Sequence, residues 1–182
     1  MLLVTLFSLG FSQSPIVTID RANIVGPTTT GNDPSISSSG LVRGSGVNLT
    51  TPGAANFTSN QWNATSQVDA ATNNEFIEWS VSASADNTVE ITEIDIRNRR
   101  NTNGPTNWQI FYSLDNFATA GIAATTVQTS AATATLYNFN GLSIISGTAG
   151  TITFRLYAWN SVTGGGWFRI PGRAAWSAFG VS

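Results

Sequence analysis

A run of alternating residues at 150–159, Gly-Thr-Ile-Thr-Phe-Arg-Leu-Tyr-Ala-Trp, constrains the fold of this chain more than any other feature. Side chains of an extended strand point alternately to its two faces, so a period of two over this length indicates a β-strand and not a helix. The two faces carry, in turn, Phe154, Leu156 and Ala158, and Arg155, Tyr157 and Trp159. The first set suits a core between two sheets.

Similar short segments recur along the chain between Gly, Pro, Asn and Asp residues, and helical patterning is nearly absent. Residues 69–74 predict only a brief helical turn or a loop. The longer predicted strands cover residues 15–19, 75–83, 89–99, 108–113, 123–129, 133–139, 150–159, 167–170 and 174–181. About nine or ten strands at this spacing predict an all-β fold, an antiparallel β-sandwich of the jelly-roll type. A chain of 182 residues predicts one such domain, over residues 14–182.

The composition excludes several classes of function. The chain has no Cys and no His, which removes disulfides, typical zinc sites, thiol nucleophiles and Ser-His-Asp triads. Its eight basic residues are all Arg, and the net charge is −2. Nucleic acid is therefore not expected as a partner, because that requires a concentrated basic face. Low charge favours a protein that associates with a neutral ligand or with itself.

Residues 1–13 are apolar and then small and polar, with the length of the hydrophobic region of a signal peptide. They predict a signal peptide and hence a secreted, extracellular protein at the cell surface. The alternative is an ordinary N-terminal strand, since residues 4–7 suit one. No other segment is apolar over the roughly 18 residues of a membrane-spanning helix, so no membrane span is expected.

Several short motifs resemble those of a family of secreted bacterial β-jelly-roll modules, the Bacteroidota-type exported surface proteins. They are residues 76–79 (FIEW), 104–108 (GPTNW), 112–117 (YSLDNF), 153–160 (TFRLYAWN) and 164–170 (GGGWFRI). The order and spacing match over about three quarters of the chain. The chain departs from the family pattern at Pro171, where the family tends to place Asp. The resemblance implies a jelly roll, export and no intrinsic catalysis, and it implies no particular ligand.

The outward face of the 150–159 strand is the first candidate for a ligand site. Aromatic faces stack on sugar C–H groups and Arg donates to hydroxyls, which suits a neutral glycan or cell-surface polymer. The predicted ligand-binding residues are Arg97, Arg155, Tyr157, Trp159, Trp108, Tyr112 and Trp167. The first four form one patch if their strands are neighbours.

A structural alternative stands beside this prediction. Tyr157 and Trp159 then belong to a second buried layer, with Arg155 paired to Glu93 or Asp95. Trp167, which follows three glycines, is either exposed for binding or a plug over the end of the sandwich.

The carboxylates give weak signals for catalysis and for metal binding. Glu93 and Asp95 share a strand face at a spacing near that of an inverting glycosidase pair, but Arg97 and Arg99 on that face favour an ion-pair ladder. We therefore expect no enzyme. We expect no cofactor, with a structural calcium ion at Asp115 or Asp20 as the open case, because jelly rolls often hold one.

Two functions of different classes remain open. The first is a non-catalytic module for adhesion, binding glycan at the cell surface. The second is a self-assembling subunit of an extracellular filament or surface coat, a homopolymer joined by β-strand addition. Residues 2–13 discriminate between them: a cleaved segment is a signal peptide, and a retained, ordered segment is an inserted strand.

Overall fold

Two antiparallel sheets account for most of the residues that the structure, a computed structural model, describes: 15–19, 29–31, 33–50, 56–171 and 174–178. The strands are β1 (Pro15–Ile19), β2 (Thr29–Gly31), β3 (Ile36–Ser38), β4 (Val42–Arg43), β5 (Asn48–Leu49), β6 (Asn56–Asn60), β7 (Phe76–Ala83), β8 (Glu90–Arg100), β9 (Asn107–Ser113), β10 (Ile122–Ala123), β11 (Gln128–Thr129), β12 (Thr135–Ile145), β13 (Thr151–Trp159), β14 (Phe168–Pro171) and β15 (Ala174–Ala178). One helix, α1 (Gln67–Thr72), lies between β6 and β7.

The first sheet has the strand order β2-β1-β15-β8-β14-β6-β5, with β12 on the opposite edge of β8. The second sheet has the order β10-β9-β13-β7-β3, with β11 also paired to β9 and β4 to β7. From β7 to β9, and again from β12 to β14, consecutive strands alternate between the two sheets, as in a jelly roll. The predicted all-β, jelly-roll-like antiparallel sandwich is confirmed.

The number of strands exceeds the nine or ten predicted, because the described residues contain fifteen. The additional strands include β2 and β3, which are three residues long and too short to show a period of two, and β6, which is five residues long. Two-residue strands β10 and β11 occupy the region where the sequence predicts one strand over 123–129. The proposed signal peptide, residues 1–13, lies outside the described residues, and its cleavage stays a prediction.

The main core lies between the sheets and consists of the inward side chains of both. Ile94 and Ile96 of β8 and Phe154 of β13 have no exposed surface, as their alternation predicts. Phe154 stacks on Trp79 of β7, with ring centroids 5.5 Å apart and an interplanar angle of 14°. Burial of such large side chains supplies most of the favourable free energy of folding.

A second, smaller apolar cluster lies on the outer face of the second sheet. Its buried members are Ala64, Ala70, Phe76, Tyr157 and Trp159. Helix α1 contributes Ala70 and so covers this end of the face. The helix begins after Ser66, whose hydroxyl accepts a hydrogen bond from the Asp69 amide at 3.1 Å. No helix within the described ranges is long and apolar enough to cross a membrane.

We predict that Phe154→Ala lowers the free energy of unfolding by about 3–5 kcal/mol, because it leaves a cavity against Trp79 in the main core. For a domain of this size the melting temperature should fall by roughly 6–20 °C. Thermal unfolding followed by circular dichroism measures the change. Leu136→Ala, at a strand residue that is 51% exposed, is the control and should stay within about 0.5 kcal/mol of wild type. Equal losses in both variants would contradict this assignment of the core.

Candidate functional site

The outer face of the second sheet carries one row of side chains with mixed chemistry, formed by neighbouring strands. In this row Arg155 of β13 lies directly between Phe111 of β9 and Glu78 of β7. In the next row toward α1, Tyr157 is paired with Phe76. In the row on the other side the side chains are small and polar. The face therefore changes from apolar to polar at Arg155.

Arg155 is fixed by an ion pair and by two aromatic rings. Its Nε atom donates to Glu78 Oε2 at 2.7 Å, and the two side chains are 21% and 27% exposed. Its guanidinium carbon lies 4.0 Å from the ring centroid of Phe76 and 4.2 Å from that of Phe117. Cation–π contact and a charge-assisted hydrogen bond together hold the guanidinium in one position, so its remaining N–H donors have a fixed direction.

The loop after β9 holds the Phe117 ring over Arg155. Asn116 and Phe117 both have positive φ, 56° and 59°, which non-glycine residues rarely adopt. Ser113 Oγ accepts hydrogen bonds from the amides of Asp115 at 3.1 Å and Phe117 at 2.8 Å, and these bonds impose the turn. Gly121 leaves room for the ring, because a Cβ there would lie 2.4 Å from Phe117 Cε1. Two consecutive left-handed residues store strain, which is typical of functional loops.

Two cavities of similar size lie beside the Arg155–Glu78 pair. The first, of about 410 Å³, is bounded by Gln67 of α1, Phe111, Phe117, Arg155 and Tyr157, among others. The second has a volume of about 400 Å³. Its lining is Ser39, Val42, Glu78, Ser80, Leu114, Asp115, Asn116, Thr151 and Thr153. Each cavity falls within the size range of small-molecule sites.

The predicted patch of Arg97, Arg155, Tyr157 and Trp159 does not exist as one surface. Arg97 lies on β8 of the first sheet, whereas the other three lie on β13 of the second. The prediction is wrong in this respect because consecutive strands cross from one sheet to the other. Tyr157 and Trp159 are 3% and 7% exposed in the second apolar cluster, as the structural alternative states. Arg155 pairs with Glu78 and not with Glu93 or Asp95.

The other predicted aromatic residues lie away from the Arg155 row. Trp108 is wrong as a ligand contact, since it points inward, has no exposed surface and packs edge-on against Tyr137 at 4.9 Å. Tyr112 shares that inward face and packs against the main core. Trp167 is half-buried beside Arg99 and Arg169 of the first sheet. Ligand binding by Tyr112 and Trp167 stays a prediction.

Asp115 is engaged within its own loop. Its Oδ1 accepts from the Ser113 hydroxyl at 2.6 Å, and its Oδ2 accepts from the Thr119 amide and hydroxyl. These hydrogen bonds lower the pKa of Asp115. Within the described ranges no three Asp, Glu, His or Cys side chains converge as metal ligands. A calcium ion held by Asp115 and backbone carbonyls stays a prediction. Asp20 lies outside the described residues.

The carboxylates considered for catalysis are bound to neighbouring groups. The side-chain nitrogen of Asn138 on β12 donates to both Glu93 and Asp95, the latter at 2.6 Å. Glu93 and Asp95 are thus hydrogen-bonded to an amide and do not form the expected ion-pair ladder with Arg97 and Arg99. The one ion pair between described residues is Arg155–Glu78.

Four residues of the site were not found from the sequence: Gln67, Glu78, Phe111 and Phe117. Period two does place Glu78 and Arg155 each on one face of its own strand. It does not reveal that the two are register partners 77 residues apart. The positive φ of Phe117 also has no sequence signal, because the region contains no Asn-Gly or Asp-Gly pair.

Comparison with known proteins gives distant similarity in fold. No protein-family model matches the chain, and no curated protein does. A xylan-binding CBM22-1 domain of Xyn10C from Paenibacillus barcinonensis aligns over 92% of this chain and 97% of its own, with 7% identity and a TM-score of 0.46. The tandem CBM22-1-CBM22-2 domain of the same protein aligns with 5% identity, over 94% of this chain and 47% of its own, with a TM-score of 0.46. An isomalto-dextranase of Arthrobacter globiformis T6 aligns over 90% and 33%, with 11% identity and a TM-score of 0.35.

Glu75 is a buried carboxylate that holds the segment leading to α1. It is 3% exposed, and its Oε2 accepts a hydrogen bond from the Ala64 amide at 2.9 Å. Burial raises the pKa of Glu75 above its ordinary value, and the backbone hydrogen bonds oppose this only in part. The folded protein therefore keeps the Glu75 proton to a higher pH than the unfolded chain does.

We predict that Glu75→Gln removes a pH-dependent loss of stability. Because the folded pKa is raised, the contribution of Glu75 is greatest below its ordinary pKa and is lost as the pH rises through the folded pKa. The stability of wild type relative to E75Q should thus fall as the pH rises above the ordinary pKa of Glu. Gln keeps an acceptor for the Ala64 amide without the charge, so its own contribution does not change with pH. Urea unfolding at each pH gives the difference. A difference that is constant with pH would contradict the raised pKa.

Proposed function

We propose that the protein is a non-catalytic module that binds a neutral glycan on the outer face of the second sheet. The two cavities beside Arg155 and Glu78 form its binding groove. One observation carries this proposal: two cavities of about 410 and 400 Å³ lie beside an arginine fixed between two aromatic rings. A site that is already formed binds without the cost of ordering its side chains. Arg155 and Phe117 are the central contacts.

The chemistry of the two cavities matches a polyhydroxylated ligand. The first cavity offers the rings of Phe111 and Phe117 for the C–H faces of a sugar ring, and Gln67 for its hydroxyls. The second offers hydroxyl and amide groups together with the apolar side chains of Val42 and Leu114. The charge of Arg155 is balanced by Glu78, so the groove suits an uncharged ligand. Two adjacent cavities suit at least a disaccharide.

The cellular role that follows is adhesion outside the cell. The sequence supports export through residues 1–13 and through the resemblance to secreted bacterial modules. The abundance of Ser, Thr and Asn and the small number of charges suit contact with a neutral polymer. In this proposal the protein belongs at the cell surface and acts by binding alone.

We predict that Phe117→Ala weakens binding of a neutral oligosaccharide by at least about tenfold, or ~1.4 kcal/mol, because the ring forms one wall of the cavity and holds Arg155. A screen of immobilised neutral glycans first identifies a ligand. Isothermal titration calorimetry with that oligosaccharide then gives the dissociation constants. Phe117 is half-buried on a surface loop, so the melting temperature should change little.

The matched control is Leu136→Ala, which removes an exposed apolar side chain from the first sheet and should leave the affinity unchanged. Equal affinities of wild type and F117A would contradict the assignment of the groove. Failure of every neutral glycan to bind wild type would overturn the proposed function.

A second function, self-assembly, is favoured by the free edge of β12. This strand of 11 residues is hydrogen-bonded to β8 along one edge, and no strand of the described residues pairs with its other edge. Long edges that are not covered are templates for another chain. Leu136 and Ile145, which are 51% and 52% exposed on this strand, add apolar surface.

We predict that, if the protein assembles through this edge, Leu136→Lys prevents assembly, because an edge lysine disfavours pairing with a further strand. Negative-stain electron microscopy and size-exclusion chromatography of wild type and L136K measure the result. Fibres of wild type that persist in L136K would place the joint elsewhere. A wild-type protein that stays monomeric at high concentration would exclude self-assembly.

A further inference from the structure

Two arginines lie directly opposite each other on the outer face of the first sheet. Arg99 of β8 and Arg169 of β14 are register partners in an antiparallel pair. Their neighbours Asn98 and Phe168 have no exposed surface and point into the sandwich, so both arginines point outward. Like charges directly opposite in a sheet are destabilising. The arrangement therefore needs a compensating group.

The ring of Trp167 offsets only part of the repulsion between Arg99 and Arg169. The guanidinium carbons of Arg99 and Arg169 lie 5.2 Å and 4.4 Å from its ring centroid. The tryptophan is held in place by Asn101, whose side-chain oxygen accepts from the Trp167 amide at 2.9 Å and whose own amide donates to the Trp167 carbonyl at 3.2 Å. The ring attracts cations through its quadrupole but carries no negative charge. Arg169 also donates from Nε to the Thr58 hydroxyl at 3.1 Å, which is likewise uncharged.

No carboxylate among the described residues forms an ion pair with Arg99. Its Nε atom is buried and has no hydrogen-bond partner, which leaves a strong donor unsatisfied. Burial is the main cause of the lowered pKa of Arg169, and the positive charge of Arg99 lowers it further. The nearest acids on the outward face of β8, Glu93 and Asp95, are bound by Asn138. Neither forms an ion pair within the described part of the chain.

We propose that Arg99, with Trp167 beside it and Arg169 beneath, binds an oxyanion, the sulfate or carboxylate group of an acidic ligand. Arg99 and Trp167 are half-buried and reachable from solvent, whereas Arg169 is 8% exposed and forms the floor. Guanidinium groups match the geometry of carboxylates and sulfates, and the terminal N–H groups of the half-buried Arg99 supply the donors. This site lies on the sheet opposite the Arg155 groove and takes a different class of ligand.

The test compares wild type with Arg99→Gln in sodium sulfate and in sodium chloride of equal ionic strength. Sulfate should raise the melting temperature of wild type above its value in chloride by roughly 2–6 °C at saturation. R99Q should lose this difference, apart from the general stabilisation by sulfate that all variants share. In chloride, R99Q should be at least as stable as wild type, because the like-charge contact is removed.

Arg97→Gln is the matched control, since Arg97 lies two residues away on the same outward face of β8 and is exposed. R97Q should keep the sulfate response of wild type. Equal sulfate responses in wild type and R99Q would overturn the proposal, and so would an equal loss in R97Q and R99Q.

Calorimetry with three probes identifies the source of the oxyanion: sodium sulfate, a sulfated oligosaccharide and an oligogalacturonate. At least tenfold weaker binding by R99Q than by R97Q supports the site for whichever probe binds, and sulfate alone would identify a small free anion as the ligand. F117A should bind these probes as wild type does, and R99Q should keep any binding of neutral glycan. If none of the three probes binds, the proposal is overturned, whereas the proposed glycan binding at Arg155 is left standing.

Discussion

The structure depends on a central strand that is buried on both faces. On β13, eight of nine residues are buried or half-buried, and the alternation sends Phe154 and Leu156 into the main core and Tyr157 and Trp159 into the layer under α1. A sheet strand covered on both faces must satisfy every polar group it carries. Arg155 is the charged residue of this strand, and its ion pair with Glu78 meets that requirement.

Arginine serves in this protein to pack against aromatic rings more than to hydrate the surface. Of the six arginines that the structure describes, four lie over a ring: Arg43 on Phe57, Arg155 on Phe76 and Phe117, and Arg99 and Arg169 on Trp167. The planar, weakly hydrated guanidinium stacks on rings, whereas the compact ammonium of lysine is strongly hydrated. This preference gives a physical reason for a chain with no lysine. Charge then lies at a few fixed places, where it can recognise a ligand.

The sequence predicts what depends on near neighbours and misses what depends on distant ones. The alternation on residues 150–159, the inward direction of Ile94 and Ile96, and the all-β class follow from local pattern and are confirmed. The helix was predicted only as a brief turn or loop over residues 69–74, and it spans Gln67–Thr72. Element boundaries are set partly by tertiary packing, here by the contact of Ala70 with the second apolar cluster.

The neighbours of Arg155 in the candidate site are set by the pairing register of β7, β9 and β13. A local sequence pattern contains no information on this register. Arg155 and Tyr157 were identified as outward residues, but their neighbours were not, because β7, β9 and β13 are joined through strands of the other sheet. The same crossing placed Arg97 in the wrong surface. A prediction that treats strands adjacent in sequence as adjacent in space fails in any sandwich whose strands alternate between sheets.

The position of the groove follows from how much of the outer face α1 can cover. A helix of six residues is about 9 Å long, enough to cover Tyr157 and Trp159 but not the whole of β13. Beyond Arg155 the face carries Thr153, which is buried beside the Phe117 loop, and the exposed Thr151. The apolar layer must end where the helix ends. At that point Arg155, covered by the Phe117 ring, separates the apolar part of the face from the part that is open to solvent. A ligand that is apolar on its ring faces and polar at its edges matches both parts of the face.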